Sequence, residues 1–164
     1  IISHSFDIGF LGIVGIVSEI LTNFEKTVIF KNLHDNNLLP GFLGRITRPD
    51  GAKNCSLFIT EKNFNKLSTS LGMPSGHTQL AFSSATYLIL YLLENQPKTN
   101  KRLFSIAFVI FIAIVAGLSR IQFNCHTFQQ VIVGGLFGIL YGYLGFKTMK
   151  KIKLYNNKRI NGSS

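Results

Sequence analysis

Four stretches of the chain are nearly free of charge: Ile8 to Leu21, Thr78 to Leu93, Leu103 to Leu118 and Val131 to Phe146. Each runs 14 to 16 residues, short of the roughly 20 that a helix needs to cross a bilayer. Each extends over uncharged flanks to that length. The pattern predicts an all-α, integral membrane helical bundle of about four spanning helices. A soluble bundle is the competing reading. It would need amphipathic helices with a polar outer face, and these windows leave little room for one.

The polar positions divide the chain further. The first window belongs to a longer helical pattern from residue 5 to about 34, whose second half carries Glu19, Asn23, Glu25 and Lys26. Gly9, Gly12 and Gly15 offer a surface for close helix approach. From Asn36 to Met73 the pattern breaks at Pro40, Gly41, Gly44, Pro49 and Gly51, which mark turns. A short surface helix is expected over residues 61–71. A connection this long is usually either functional or disordered. Pro74 opens the second window's helix, the third ends near Ile121, and the fourth starts near Thr127. The fourth carries Gly134, Gly138 and Gly142, a small-residue ridge suited to close packing. Disorder is expected only beyond about Tyr155.

Charge orients this bundle. The 164-residue chain has a net charge of +10 and 46% hydrophobic residues. Lys147, Lys150, Lys151, Lys153, Lys158 and Arg159 crowd the tail, and Lys98, Lys101 and Arg102 fill the loop after the second window. Basic residues that flank apolar spans follow the positive-inside rule, so no nucleic-acid partner is inferred. The rule puts the tail and the 94–102 loop in the cytosol. It then places His126, Arg120, His77 and the whole 36–76 segment together on the opposite, extracytosolic side. The chain opens on Ile1, which fits a fragment or a trimmed start, and its first window lacks the basic lead of a cleavable signal peptide.

Cys55 and Cys125 both fall on that extracytosolic side. A disulfide and two free thiols both remain open. Cys-x-x-Cys spacing is absent, and no metal site is expected.

Polar residues at the edge of membrane-length segments are expensive to keep there and point to function. Pro74-Ser75-Gly76-His77 stands at the start of one segment. Ser119-Arg120 ends another, with His126 six residues after the arginine. Guanidinium groups match phosphate oxygens bidentately, which makes Arg48 and Arg120 phosphate ligands. The Ser75 hydroxyl and the amides of Ser75 and Gly76, at a helix start, add anion-binding donors. One histidine can attack phosphorus while the other protonates the leaving oxygen. Arginines and amides would absorb the transition-state charge, so no metal or other cofactor is required. If His126 starts the last helix, Gln130 lies at i+4 on the same face, where its amide oxygen would accept from the second ring nitrogen. His126, His77 and Gln130 thus form the expected catalytic set. His4 and His34 lack such company and are read as structural.

These residues resemble the type-2 phosphatidic acid phosphatase superfamily, which also includes the haloperoxidases. Its signature is K-x6-RP, then PSGH, then SR-x5-H-x3-D. The second part is intact at Pro74 to His77. The third stands as Ser119-Arg120-x5-His126, with Gln130 where Asp is usual. Gly72-Met73-Pro74-Ser75-Gly76-His77-Thr78-Gln79 and His126-Thr127-Phe128-Gln129-Gln130-Val131 are similar to the dolichyl-diphosphatase branch, where Gln at the last position is common. The first part departs: Arg48-Pro49 fits RP, but Gly41 stands where Lys is expected. Lys26, about 15 residues too far upstream, and Arg45 are the candidates to replace it.

The resemblance covers about residues 19 to 146, flanked by the start of the first membrane helix (1–18) and a basic cytosolic tail (147–164). It implies the last four helices of a six-helix core. It also implies metal-independent hydrolysis of a lipid phosphate or diphosphate through a phospho-histidine on His126, with His77 as acid. Arg48, Ser75, Gly76, Arg120 and either Lys26 or Arg45 would bind phosphate. The branch points to a polyprenyl diphosphate at a lumenal face, with the endoplasmic reticulum favoured. The alternative is an inactive relative serving as a membrane scaffold or lipid-binding protein. A haloperoxidase shares the phosphate-site residues, but that class is soluble and larger.

Overall fold

A computed structural model describes residues 2–52 and 70–161, with side chains described from residue 6 to 159. The described residues are helical, with no strand among them. α1 (Ile2–Phe24) runs into a π-helical turn (Glu25–Phe30) and then α2 (Lys31–Asp35), making one long rod. A 3-10 turn (Gly41–Leu43) follows. The remaining helices are α3 (Gly76–Asn95), α4 (Asn100–Gln122) and α5 (Phe128–Asn161). The expected surface helix at 61–71 falls almost wholly outside the described residues.

α3 is the centre of the bundle. It packs most extensively on α5, then on α4 and α1. The glycine ridge explains the closeness of α3 and α5. A methyl added at Gly134 or Gly138 would lie 2.5 Å from the carbonyl oxygen of Ser75 or Gln79. At Gly142 it would meet that of Ser83. The carbonyl of the residue preceding α3 and two α3 carbonyls, one turn apart, thus rest on bare α5 backbone, as small residues allow in membranes. Gly9 and Gly12 do no comparable work, since a methyl there would meet nothing within 4 Å.

Among the described residues, three segments are long and apolar enough to cross a membrane: Phe6–Asp35, Asn100–Gln122 and Phe128–Arg159. α3 is long enough, but its buried Thr78, Gln79 and Ser83 make it less apolar. Ringed by the other helices, it meets less lipid and can carry polar groups. The outer surface exposes Ile8, Ile16, Phe104, Phe111 and Leu136, the surface of a protein solvated by lipid. This is an integral membrane protein, and a water-facing bundle does not fit it. α5 continues to Asn161, so residues 156–161 are helical, contrary to the expectation of disorder.

The two ends of the bundle differ in chemistry. At one end Asp7 is buried and ion-paired with Lys153, and Lys150 pairs with Glu94 at 2.7 Å. Arg102 there donates to the carbonyl of Gln96 at 2.9 Å. At the other end the starts of α3 and α5 and the end of α4 converge on the loop that carries Arg48.

Candidate active site

The local fold places His126 first. After α4, Asn124 takes a left-handed turn (φ 52°), a conformation asparagine tolerates. The amides of Cys125 and His126 then both donate to the Arg120 carbonyl, at 2.9 and 3.2 Å. Thr127 caps α5, its hydroxyl accepting from the Gln130 amide at 3.4 Å. His126 ends up 2% exposed.

The histidine's tautomer follows from its neighbours. The Gln130 side-chain nitrogen lies 3.1 Å from the Arg45 carbonyl and 2.7 Å from that of Thr47. Carbonyls only accept, so this atom must be the amide nitrogen and the other Oε1. Oε1 stands 3.0 Å from His126 Nδ1, and Nδ1 therefore carries the proton. Nε2 keeps its lone pair, which faces Arg48 Nη1 at 3.3 Å. Burial, reinforced by the Arg48 charge, pushes the His126 pKa down to about 3. The imidazole is therefore neutral at physiological pH.

Arg48 is held by three acceptors: Ser70 Oγ at 3.1 Å, the Cys125 carbonyl at 3.0 Å and His126 Nε2. Burial and the nearby Arg120 charge lower its pKa from the usual range. Its loop is pinned by the amides of Gly72 and Met73, both donating to the Ile46 carbonyl at 2.7 and 3.1 Å.

The Ser-Gly-His turn sits somewhat differently from the sequence expectation. Ser75 caps α3, and Pro74 precedes the cap. The Ser75 amide donates to the Gln130 carbonyl at 3.0 Å, and its hydroxyl shares a hydrogen bond with Thr78 at 2.9 Å. The Ser75 amide is thus engaged within the protein, and its hydroxyl pairs with that of Thr78, either of which can donate. The first helical bond runs from Gln79 N to the Ser75 carbonyl at 2.9 Å. The amides of Gly76, His77 and Thr78 consequently have no acceptor within the helix.

A cavity of about 440 Å³ joins these groups. His77, His126, Arg48 and Gly76 form one wall, and Lys26 lies on another together with Glu19, Asn23 and Thr27. Lys26 belongs to the π-helical turn, a feature common at functional sites. The spacing 19, 23, 26, 27 is a helical stripe, so Glu19, Asn23 and Thr27 were within reach of the sequence pattern but were not assigned to the site. Arg45 turns outward and pairs with Asp50 at 3.1 Å, with its side chain 61% exposed. It does not line the cavity. Arg120 does not line it either; its Nε donates to Ser119 Oγ at 3.2 Å, and its charge is felt at Arg48. Cys125 is disulfide-bonded, and Cys55 lies outside the described residues. No group of three His, Cys, Asp or Glu suited to a metal occurs among the described residues.

Residues 10–154 match the PAP2 superfamily, and the chain belongs to that family. It is 30% identical over 86 residues to dolichyldiphosphatase 1 of Dictyostelium discoideum, covering 51% of this chain and 38% of the relative. It is 35% identical over 72 residues to lipid phosphate phosphatase 1 of Arabidopsis thaliana, covering 41% and 22%. The match therefore spans well under half the length of either relative. No solved structure matches the chain.

Proposed function

We propose that this protein is a membrane lipid phosphatase or diphosphatase that hydrolyses a polyprenyl diphosphate-like substrate through a phospho-histidine on His126. The observation that carries this reading is the neutral, Nδ1-protonated His126, its Nε2 lone pair beside Arg48 in a cavity shared with His77 and Lys26. Membership of the PAP2 superfamily and the two phosphatase relatives support the same class of reaction.

In this mechanism the substrate phosphate draws the Arg48 guanidinium off Nε2 and onto its own oxygens. Lys26 and the α3 amides supply further positive potential. Nε2 then attacks phosphorus and forms the N–P bond. The bond to the leaving oxygen breaks, and His77 delivers a proton to that oxygen. Water next attacks the phospho-histidine and gives its proton to His77. Inorganic phosphate leaves, and Nε2 regains its lone pair. Fixed cations and amides do the work of a Lewis acid, so no metal is required. The positive-inside rule supports an extracytosolic site and a cytosolic tail. Residues 19–146 would hold the catalytic unit, flanked by 1–18 and the basic tail 147–164.

The altered first motif favours the alternative, an inactive scaffold. The presence of Lys26 in the cavity weakens that alternative. Phosphate release from a polyprenyl diphosphate, with phosphatidic acid in parallel and EDTA present, tests the proposal. Release from the diphosphate supports it, and release from neither by folded protein favours the inactive relative.

A further inference from the structure

We infer that Gln130 is the positioning residue for Arg48 as well as for His126, and that its amide nitrogen does work a carboxylate could not. Gln130 is fully buried and ties together three separate parts of the site. Its backbone carbonyl accepts from Ser75 at the head of α3. Its Oε1 accepts from His126 Nδ1 and from the Thr127 amide, at 3.0 and 3.2 Å. Its Nε2 donates to the carbonyls of Arg45 and Thr47, the residues leading into Arg48. All four hydrogen-bonding positions of the side-chain amide are used.

The two donor bonds set the loop. Arg45 and Thr47 are held against α5, so Arg48 starts its reach toward His126 from a fixed point. An aspartate or glutamate at 130 would set a carboxylate against two carbonyl oxygens. It would repel them, leave them without donors, and release the 45–48 loop. Gly72 completes the arrangement. A methyl there would lie 2.5 Å from Gln130 Oε1 and 2.6 Å from Nε2, so only glycine leaves room for the amide. The residue that departs from the usual motif is thereby fitted to a loop that needs a donor.

This inference rests on the phosphatase reading, and phosphate binding separates the two. Inorganic phosphate would be titrated against purified full-length protein in detergent, with affinity read from thermal protection. Turnover would be measured in parallel on an isoprenoid diphosphate. Gln130→Met is neutral and nearly isosteric. It should weaken phosphate binding by on the order of tenfold or more, the worth of a hydrogen bond to a charged group. In an Arg48→Ala background the same change should weaken binding little further. Gln130→Asn, which keeps donor and acceptor on a shorter stem, should fall between wild type and Gln130→Met. Equal losses in both backgrounds, or unchanged phosphate binding with only kcat lowered, would overturn the inference. If Gln130→Met does not fold, Gly72→Ala takes its place with the same expected pattern. A wild-type protein that neither binds phosphate nor turns over would sink the phosphatase reading, and this inference with it.

Discussion

His126 Nδ1 and Gln130 Oε1 stand 3.0 Å apart, and that one hydrogen bond decides which ring nitrogen keeps its lone pair. The Gln130 orientation is dictated by the carbonyls of Arg45 and Thr47, which leaves Nδ1 as donor and Nε2 with the lone pair. A neutral amide achieves this without adding negative charge to the proposed phosphate site.

Replacing Gln130 with aspartate, the usual residue of the motif, should therefore not raise the proposed activity. Gln130→Asp keeps an acceptor for His126 but removes both donors to the loop and shortens the side chain. Turnover should fall about tenfold or more, measured as kcat/KM for an isoprenoid diphosphate. Equal or higher activity would mean the loop carbonyls do not need the amide.

Gly72→Ala should damage the site from the opposite side. Its methyl would overlap the Gln130 amide, so stability should drop by about 1–3 kcal/mol and activity should fall with it. Gly41→Ala, where a methyl meets nothing within 4 Å, is the control and should be close to neutral. Thermal unfolding in one detergent compares the two.

The helix ridge makes a separate prediction. Gly138→Ala should destabilise by about 1–3 kcal/mol, because its methyl would lie 2.5 Å from the Gln79 carbonyl on a backbone that cannot step aside. Gly12→Ala should cost little or add slightly to helix stability. Matching losses at both positions would mean that α3 and α5 are not in this register.

The buried His126 gives acid sensitivity of known sign. Burial holds its folded pKa down at about 3, against the usual 6.5. Between those values the unfolded chain binds the extra proton, so stability rises with pH there and is lost as pH falls from about 6.5 toward 3. A His126→Asn variant should show a flatter fall in melting temperature over the upper part of that window. An identical acid profile would show that His126 is not held neutral by the fold.

Much of this was legible because membrane helices and site residues leave different marks. The apolar windows gave the helices, and the Gly134-Gly138-Gly142 spacing gave the face of α5 that meets α3. The Pro74–His77 and Ser119–His126 motifs gave both histidines, and the i+4 relation gave Gln130 as the His126 partner. Three things needed the fold. The π-helical turn has no sequence signal, and Lys26 falls within it on the cavity wall. Arg45 looked equivalent to Lys26 in sequence, but a nearby Asp50 draws it outward. The Ser75 amide looked available in sequence, but the fold gives it to the Gln130 carbonyl, while its hydroxyl pairs with that of Thr78. The tail is helical to Asn161 despite its charge, because charge alone does not stop a helix already nucleated by a packed one.

The central claim is that His126 is phosphorylated during metal-independent turnover. The most direct test is rapid quenching with an isoprenoid diphosphate labelled on its terminal phosphate, in detergent with EDTA. The account predicts an acid-labile, base-stable phosphoenzyme whose label maps to His126 and disappears in His126→Ala. Full turnover in His126→Ala, or turnover abolished by EDTA, would contradict it.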